Sequence, residues 1–156
     1  TSKSFIMHAG SERVSGRILI VDDDIDLLML LERRLVKEGY TVETACSLPE
    51  AEEIIGFFAP QLLLLDININ GDDGRQLCWK LKHAAEGPEV KVVVMSGYDL
   101  SASRSVLFGA DEMVTKPLQT DYLLQRIQVH LQAMQGVTVT DLLPFPGSDK
   151  NQPPSF

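Results

Sequence analysis

The sequence predicts an α/β domain, a doubly wound fold in which helices cover both faces of a parallel β-sheet. Five short apolar runs alternate with five segments of helical periodicity between residues 17 and 135. The third run, residues 62–65, consists of leucines and ends at Asp66, a pattern typical of a strand buried on both faces of a parallel sheet. Because crossovers between parallel strands are right-handed, the intervening helices fall on both sides of the sheet.

The first strand is predicted at residues 17–21, whose apolar side chains lead directly into Asp22, Asp23 and Asp24. A helix follows, because leucines recur there at helical spacing with charged residues on the opposite face. Asp23 or Asp24 is suited to cap its start, and Gly39 to end it. The expected apolar positions of this helix are Leu27, Leu28, Leu30, Leu31 and Leu35.

The second strand is predicted at residues 40–45. Ser47 and Glu50 then match a capping box with a proline between them, so a helix begins there and ends near residue 58. After the third strand, two glycines indicate that residues 67–74 form a loop. A helix at residues 75–83 follows the loop, with apolar residues on one face.

The rest of the domain continues the same alternation of strand and helix. Gly109 closes a serine-rich helix, and the last helix carries leucines and an isoleucine at helical spacing. The predicted elements are a buried strand at 90–95, the serine-rich helix at 100–108, a short strand at 111–115 and a last helix at 120–134.

The 156 residues, 44% of them hydrophobic, are enough for one domain with an adequate core. We place that domain at residues 17–135, with a flexible leader at 1–16 and a proline-rich tail or linker at 136–156. The net charge of −8 argues against direct binding to nucleic acid, and no apolar run reaches the ~20 residues of a membrane span. Cys46 and Cys78 lie far apart in the sequence, which favours free thiols in a reducing, cytoplasmic setting.

Ionisable and hydroxyl side chains follow four of the five predicted strands. Asp22 and Asp23 follow the first strand, Asp66 the third, Ser96 the fourth and Lys116 the fifth. Because the carboxyl ends of parallel strands meet at one edge of the sheet, these side chains are expected to converge there.

Three neighbouring carboxylates repel one another, and a hard divalent cation relieves that repulsion. Mg²⁺ prefers oxygen ligands and is typically held by one or two carboxylates together with phosphate oxygens. An aspartate beside Mg²⁺ and a lysine is suited to act as a nucleophile on phosphorus. This set of residues therefore indicates reversible formation of an acyl phosphate on Asp66, with a hydrogen bond from Ser96 to a phosphoryl oxygen.

The sequence resembles the receiver domains of two-component response regulators, including those of the chemotaxis-regulator type. Order and spacing of the matching motifs agree over residues 17–135. The resemblance implies a flavodoxin-like (βα)5 fold with a five-stranded parallel sheet in the order 2-1-3-4-5. The motifs are residues 18–23, residues 64–66 with Asp73 and Gly74 downstream, residues 95–97, and residues 109–111 leading to Lys116 and Pro117.

The same resemblance implies that Asp66 accepts a phosphoryl group from a histidine kinase or a histidine phosphotransfer protein. Asp22 and Asp23, with Asp66 and the backbone carbonyl of Asn68, would hold Mg²⁺. Ser96 and Lys116 would bind the phosphoryl group and transmit the change. The bond from Lys116 to Pro117 is expected to be cis, and catalysis to extend only to self-phosphorylation and self-dephosphorylation.

Three positions bear on how such a domain switches and how long its phosphate lasts. Met113 stands where the family usually has an aromatic switch residue that moves together with Ser96. Asn68 and Tyr98 flank the site where similar domains tune phosphate lifetime. Asn70 replaces the common proline four residues after the phosphoacceptor.

Phosphorylation is expected to reposition the fourth helix, the fifth strand and the last helix of the predicted fold. This face, which includes Met113 and residues 100–108, is the expected contact surface for an output domain, for a downstream protein or for a second copy of the chain in a homodimer.

Two alternatives to a phosphorylated receiver domain are open. A haloacid-dehalogenase-like phosphatase also forms an aspartyl phosphate after a strand, but it needs a second acid where this chain has Asn68. A receiver-like docking module that is never phosphorylated would share the fold. The EF-hand-like start at Asp66 lacks the glutamate that closes a calcium loop, since Leu77 stands in its place.

Overall fold

The computed structural model describes residues 15–97 and 108–136. Five parallel strands form one sheet in the order β2-β1-β3-β6-β7, and β4 and β5 form a separate antiparallel pair. Counting only the strands of the main sheet, this is the predicted order 2-1-3-4-5, so the flavodoxin-like fold is confirmed. The strands are β1 (Arg17–Val21), β2 (Thr41–Ala45), β3 (Leu62–Asp66), β4 (Asn68–Ile69), β5 (Asp72–Asp73), β6 (Lys91–Ser96) and β7 (Glu112–Thr115).

Four helices are present in the described residues, and each agrees with a predicted helix to within a few residues at its ends. The predicted helix at 100–108 lies outside the described residues except for Phe108, and Tyr98 lies outside them as well. The helices are α1 (Ile25–Lys37), α2 (Leu48–Phe58), α3 (Arg75–Lys82) and α4 (Thr120–Met134).

The sheet has an apolar layer on each face, because successive side chains of a strand point to opposite sides. In β3, Leu62 and Leu64 belong to the layer beneath α1 and α4, whereas Leu63 and Leu65 belong to the layer beneath α2 and α3. All four leucines have no exposed surface. The continuous apolar run of β3 is thus explained by burial on both faces.

Helix α1 begins and ends where the sequence indicates. The Asp24 side chain caps it by accepting a hydrogen bond from the Leu27 amide at 3.2 Å, and Gly39 follows its end with a φ of 100°. The predicted apolar face was too wide, since Leu30 is 57% exposed. The side chains of α1 that are buried in the core are Leu28, Leu31 and Leu35.

Helix α2 begins with a variant of the predicted capping box, in which the Glu50 side chain binds the amide one residue before the N-cap Ser47. Ser47 Oγ accepts a hydrogen bond from the Glu50 amide at 3.3 Å, and Glu50 Oε1 accepts one from the Cys46 amide at 2.9 Å. Cys46 and Cys78 are both free thiols, and burial raises the pKa of Cys78 to about 11. None of the helices in the described part of the chain combines the length and the apolar character that crossing a membrane requires.

Residues 67–74, predicted as a loop, contain the β4–β5 hairpin. Asn70 and Gly71 connect its strands with φ angles of 54° and 86°. Two consecutive residues at positive φ are the geometry of a type I′ turn, for which Asn-Gly is the preferred pair. The prediction missed the hairpin because each strand has only two residues.

Trp79 lies on the outer face of α3 and is 51% exposed. Its ring stacks on that of His83 one turn later, with 3.4 Å between the ring centroids, and meets Phe108 edge-on. His83 Nδ1 also lies 3.0 Å from the Trp79 carbonyl oxygen, at the end of the helix. These contacts fix the indole on the helix surface.

Candidate functional site

Four strands of the sheet bring polar side chains to one edge. Asp22 directly follows β1, Asp66 ends β3, Ser96 ends β6 and Lys116 directly follows β7. The register aligns these ends, since Ser96 pairs with Thr115 immediately before the lysine. The structure therefore brings together the side chains that the sequence placed at this edge.

The three carboxylates form a compact acidic cluster. One oxygen atom from each of Asp22, Asp23 and Asp66 lies within 4.8 Å of the others. Asp22 has no exposed surface and Asp66 is 7% exposed, whereas Asp23 is open to solvent. The cluster thus consists of two buried carboxylates and one exposed carboxylate.

Lys116 is the cation that faces this cluster. Its Nζ atom lies 2.7 Å from Asp22 Oδ2 and 3.5 Å from Asp66 Oδ2. Burial by itself would lower the pKa of Lys116, but the hydrogen bond and ion pair with Asp22, followed by those with Asp66, raise it above its ordinary value. The ammonium group therefore stays charged between the two carboxylates.

Asp66 is the carboxyl group whose acidity the site changes most clearly. Burial and, second, the charge of Asp22 raise its pKa from 3.8 to about 6. Lys116 and the backbone N–H of Asn68 oppose this shift because both favour the charged form. At neutral pH the group remains a carboxylate, and its oxygens are available as nucleophiles.

Backbone amides hold the other two carboxylates. Asp22 Oδ1 accepts a hydrogen bond from the Asp24 amide at 2.9 Å, and Asp23 Oδ2 accepts one from the Asn70 amide at 2.8 Å. The side-chain amide of Asn70 donates in turn to the Cys46 carbonyl oxygen at 3.2 Å. Sequence reasoning did not anticipate a role for Asn70 here, although the Asn-Gly turn signal was readable.

Ser96 is 1% exposed, and its carbonyl oxygen accepts a hydrogen bond from the Lys116 amide at 2.7 Å. It borders a cleft of about 440 Å³ between the end of β6 and the hairpin. Access to this edge of the sheet is therefore open on the hairpin side. The residues lining the cleft are Ile67, Asn68, Gly71, Asp72, Asp73, Arg75 and Ser96.

An ion pair at the start of α3 borders the same cleft. Arg75 Nε lies 3.0 Å from Asp73 Oδ1, and a terminal guanidinium nitrogen lies 2.8 Å from Asp73 Oδ2. These hydrogen bonds lower the pKa of Asp73. The guanidinium also lies 5.0 Å from the ring centroid of Phe108. Asp73 belongs to the family motif, but the sequence does not predict its ion pair with Arg75.

Gly74 closes the hairpin against Asp66. Its amide donates to the Ile67 carbonyl oxygen at 2.6 Å, and a Cβ atom at this position would overlap the Asp66 carbonyl oxygen. We expect Gly74→Ala to lower the free energy of unfolding by about 1–3 kcal/mol, the usual cost of forcing an extra methyl into a packed site. Urea denaturation measures this change.

The matched control is Gly56→Ala on α2, where a Cβ atom would meet nothing within 4 Å. Because glycine in a helix costs about 0.5–1 kcal/mol relative to alanine, this substitution should stabilise the protein. Equal effects of the two substitutions would contradict the close approach at Gly74.

The remaining predicted positions are also placed. Met113 is half-buried on β7 and packs against the α2–α3 side of the core. The Asn68 side chain accepts a hydrogen bond from the Gly71 amide at 3.2 Å, inside the hairpin. The bond from Lys116 to Pro117 is cis. The switch role of Met113 and the ligand role of the Asn68 carbonyl stay predictions.

A family model described as the response regulator receiver domain matches residues 18–128. This chain therefore belongs to the receiver domains of two-component response regulators. The match spans the main sheet from Ile18 onward and the first nine residues of α4, and it favours the receiver class over the haloacid-dehalogenase-like alternative.

Solved structures of receiver domains share the fold. A receiver domain protein from Methanospirillum hungatei JF-1 is 33% identical, with a TM-score of 0.69 over 78% of this chain and 97% of that one. The BeF3-activated N-terminal receiver domain of RstA from Klebsiella pneumoniae is 30% identical, with a TM-score of 0.65 over 74% and 98% of the two chains. A response regulator from Burkholderia pseudomallei with a phosphorylated aspartic acid, calcium ion and citrate is 26% identical, with a TM-score of 0.64 over 78% and 71%.

Proposed function

We propose that this receiver domain takes a phosphoryl group onto Asp66 from a histidine kinase or a histidine phosphotransfer protein. One observation carries the proposal: the Asp66 carboxylate is nearly buried, and the Lys116 ammonium lies 3.5 Å from it and 2.7 Å from the buried Asp22. Two buried carboxylates side by side repel each other and destabilise the fold, so their pairing here indicates a functional site and not a structural role.

Asp22, Asp23 and Asp66 would hold Mg²⁺, with the carbonyl oxygen of Asn68 as a further ligand. The donor set fits this ion, since three carboxylates each offer an oxygen atom within 4.8 Å of the others and Mg²⁺ prefers oxygen ligands. When bound, Mg²⁺ would offset the charge of the cluster and of the phosphoryl oxygens.

The residues of the site divide the work of phosphoryl transfer. An oxygen atom of ionised Asp66 attacks phosphorus, and the bond from phosphorus to the donor nitrogen breaks. The donor imidazole leaves with the electron pair. Lys116 offsets the negative charge of the transferring group, and the Ser96 hydroxyl donates to one of its oxygens. Hydrolysis of the acyl phosphate by water returns Asp66 to its carboxylate.

Two of the related structures support this proposal. The RstA receiver domain is BeF3-activated, and the Burkholderia pseudomallei protein has a phosphorylated aspartic acid and a calcium ion. At 30% and 26% identity, both share the sheet whose edge holds Asp66 in this chain. By analogy we propose the same chemistry here, as part of a cytoplasmic signalling switch without further enzymatic activity.

Phosphorylation would shift an existing equilibrium between two conformations. The surface that changes would comprise residues 100–108, β7 with Met113, and α4, and Ser96 would couple it to the phosphoryl group. An output domain, a downstream protein or a second copy of the chain in a homodimer would then bind this surface. Asn68 and Tyr98 would set the lifetime of the phosphate.

Incubation with acetyl phosphate tests the proposal directly. We expect the intact mass to rise by one phosphoryl group in the presence of Mg²⁺ and to stay unchanged when EDTA removes divalent cations. Asp66→Asn should abolish the adduct, because an amide is not a nucleophile toward phosphorus. Asp26→Asn, which changes an exposed aspartate in the first turn of α1, should leave the adduct intact.

Other outcomes would point elsewhere. Absence of an adduct under every condition would favour a receiver-like docking module that is not phosphorylated. Rapid consumption of acetyl phosphate without an accumulated adduct would favour phosphatase activity instead.

A further inference from the structure

The three carboxylates of the acidic cluster are not held equally. Asp22 is buried and contacts Lys116, and Asp66 is 7% exposed. Asp23 is open to solvent, and no salt bridge reaches it among the described residues. An exposed aspartate loses side-chain freedom when it binds a ligand. A contact that already fixes the side chain before binding reduces this entropy loss and raises the affinity.

Asn70 supplies that orientation. Its backbone N–H donates to Asp23 Oδ2 at 2.8 Å, and its side-chain amide donates to the Cys46 carbonyl oxygen at 3.2 Å. One residue at the tip of the hairpin thus joins the segment after β1 to the end of β2. Asn70 has a φ of 54°, as the first central residue of a type I′ turn requires.

We propose that Asn70 is a positioning residue for the acidic cluster, fixing the Asp23 carboxylate so that it is ready to bind a divalent cation. This inference rests on the proposed function, since it assigns Asn70 a part in the affinity of that site for Mg²⁺. One oxygen of Asp23 is used by the amide, and the other is left for the ion. A proline at this position could not make the contact, because it has no N–H.

The two hydrogen bonds of Asn70 come from one residue, so we expect the loss of one to affect the other. The side-chain bond to Cys46 holds the turn against the sheet, and the backbone bond then meets Asp23 in a fixed direction. Hydrogen bonds to charged acceptors are stronger than those between neutral groups. Loss of the side-chain amide should therefore loosen the backbone contact even though the N–H itself remains.

The test is Asn70→Gly, with Gln76→Ala as the matched control. Glycine keeps the N–H and accepts positive φ without strain, so the variant should fold. Gln76 is an exposed residue of α3, and its replacement removes a carboxamide outside the cluster. By calorimetric titration we expect Asn70→Gly to weaken Mg²⁺ binding about three- to tenfold, the factor that one net hydrogen bond supplies, and Gln76→Ala to match wild type.

Amide hydrogen exchange of the metal-free protein gives an independent measurement. The protection factor of the residue 70 amide, corrected for the intrinsic rate, should fall severalfold in Asn70→Gly and stay unchanged in Gln76→Ala. An unchanged protection factor or an unchanged Mg²⁺ affinity in Asn70→Gly would overturn the proposal. If wild type neither binds Mg²⁺ nor forms the phosphoryl adduct, the proposed function fails, and the exchange measurement still decides whether Asn70 positions Asp23.

Discussion

Lys116→Met is expected to lower the free energy of unfolding at neutral pH by about 2–4 kcal/mol, somewhat less than the usual cost of removing one partner from a fully buried ion pair, because the Lys116 side chain is 25% exposed. Asp22 has no exposed surface, and Lys116 Nζ lies 2.7 Å from its Oδ2 atom. Methionine retains most of the apolar stem but leaves the Asp22 charge uncompensated beside Asp66. Urea denaturation in the presence of EDTA measures the loss without interference from bound cations.

The matched control for this experiment is Lys80→Met. Lys80 Nζ lies 2.6 Å from Glu52 Oε1, but the two side chains are 64% and 48% exposed. An exposed pair of this kind contributes about 1 kcal/mol or less. If both substitutions cost the same small amount, the Lys116–Asp22 pair does not stabilise the fold as its burial implies. Combining Lys116→Met with Asp22→Asn should recover part of the loss, since the buried charge is then removed as well.

Asp66→Asn is expected to stabilise the metal-free protein above about pH 6 and to have little effect below about pH 4. The folded state raises the pKa of Asp66 from 3.8 to about 6, so it holds this proton more tightly than the unfolded chain does. The contribution of Asp66 to the free energy of unfolding of the wild-type protein must therefore fall as the pH rises from about 4 to about 6. The difference corresponds to about 3 kcal/mol at most, at about 1.4 kcal/mol for each unit of pKa.

Urea denaturation of both proteins in EDTA, repeated between pH 4 and pH 7, measures this effect as a difference curve. Taking the difference removes the contribution of carboxyl groups far from Asp66, because the substitution does not affect them. A wild-type protein that gains stability over Asp66→Asn as the pH rises would show that Lys116 outweighs burial and the charge of Asp22.

The sheet and its order were predictable because each strand carries a strong local signal. The leucines of β3 and the β-branched residues of β1 permit little except buried strands. Helix α1 shows that such local signals do not determine which side chains are buried. Leu30 has the right residue type for the core, but it lies at the edge of the apolar stripe and is exposed. Which leucines a helix buries depends on how it is rotated against the sheet, and the sequence does not encode that rotation locally.

The candidate site also contains parts that the sequence predicts and parts that it does not. Strand ends placed Asp22, Asp66 and Lys116 at one edge, because parallel topology determines that much. The amide of Asn70 reaches Asp23 across 47 positions of sequence. No local pattern predicts such a contact, and it required the coordinates of the hairpin. The same holds for Gly74, whose need for glycine comes from the Asp66 carbonyl oxygen and not from its own φ angle.

The stacked pair on α3 has a consequence for spectroscopy. Trp79 is the single tryptophan of the chain, so intrinsic emission comes from one place instead of an average over several. That place is the outer face of the helix that starts beside the cleft, one turn after Arg75. Its indole is half-exposed and rests on an imidazole. Tryptophan fluorescence therefore reports on the surroundings of α3, and no external dye is needed to follow that helix.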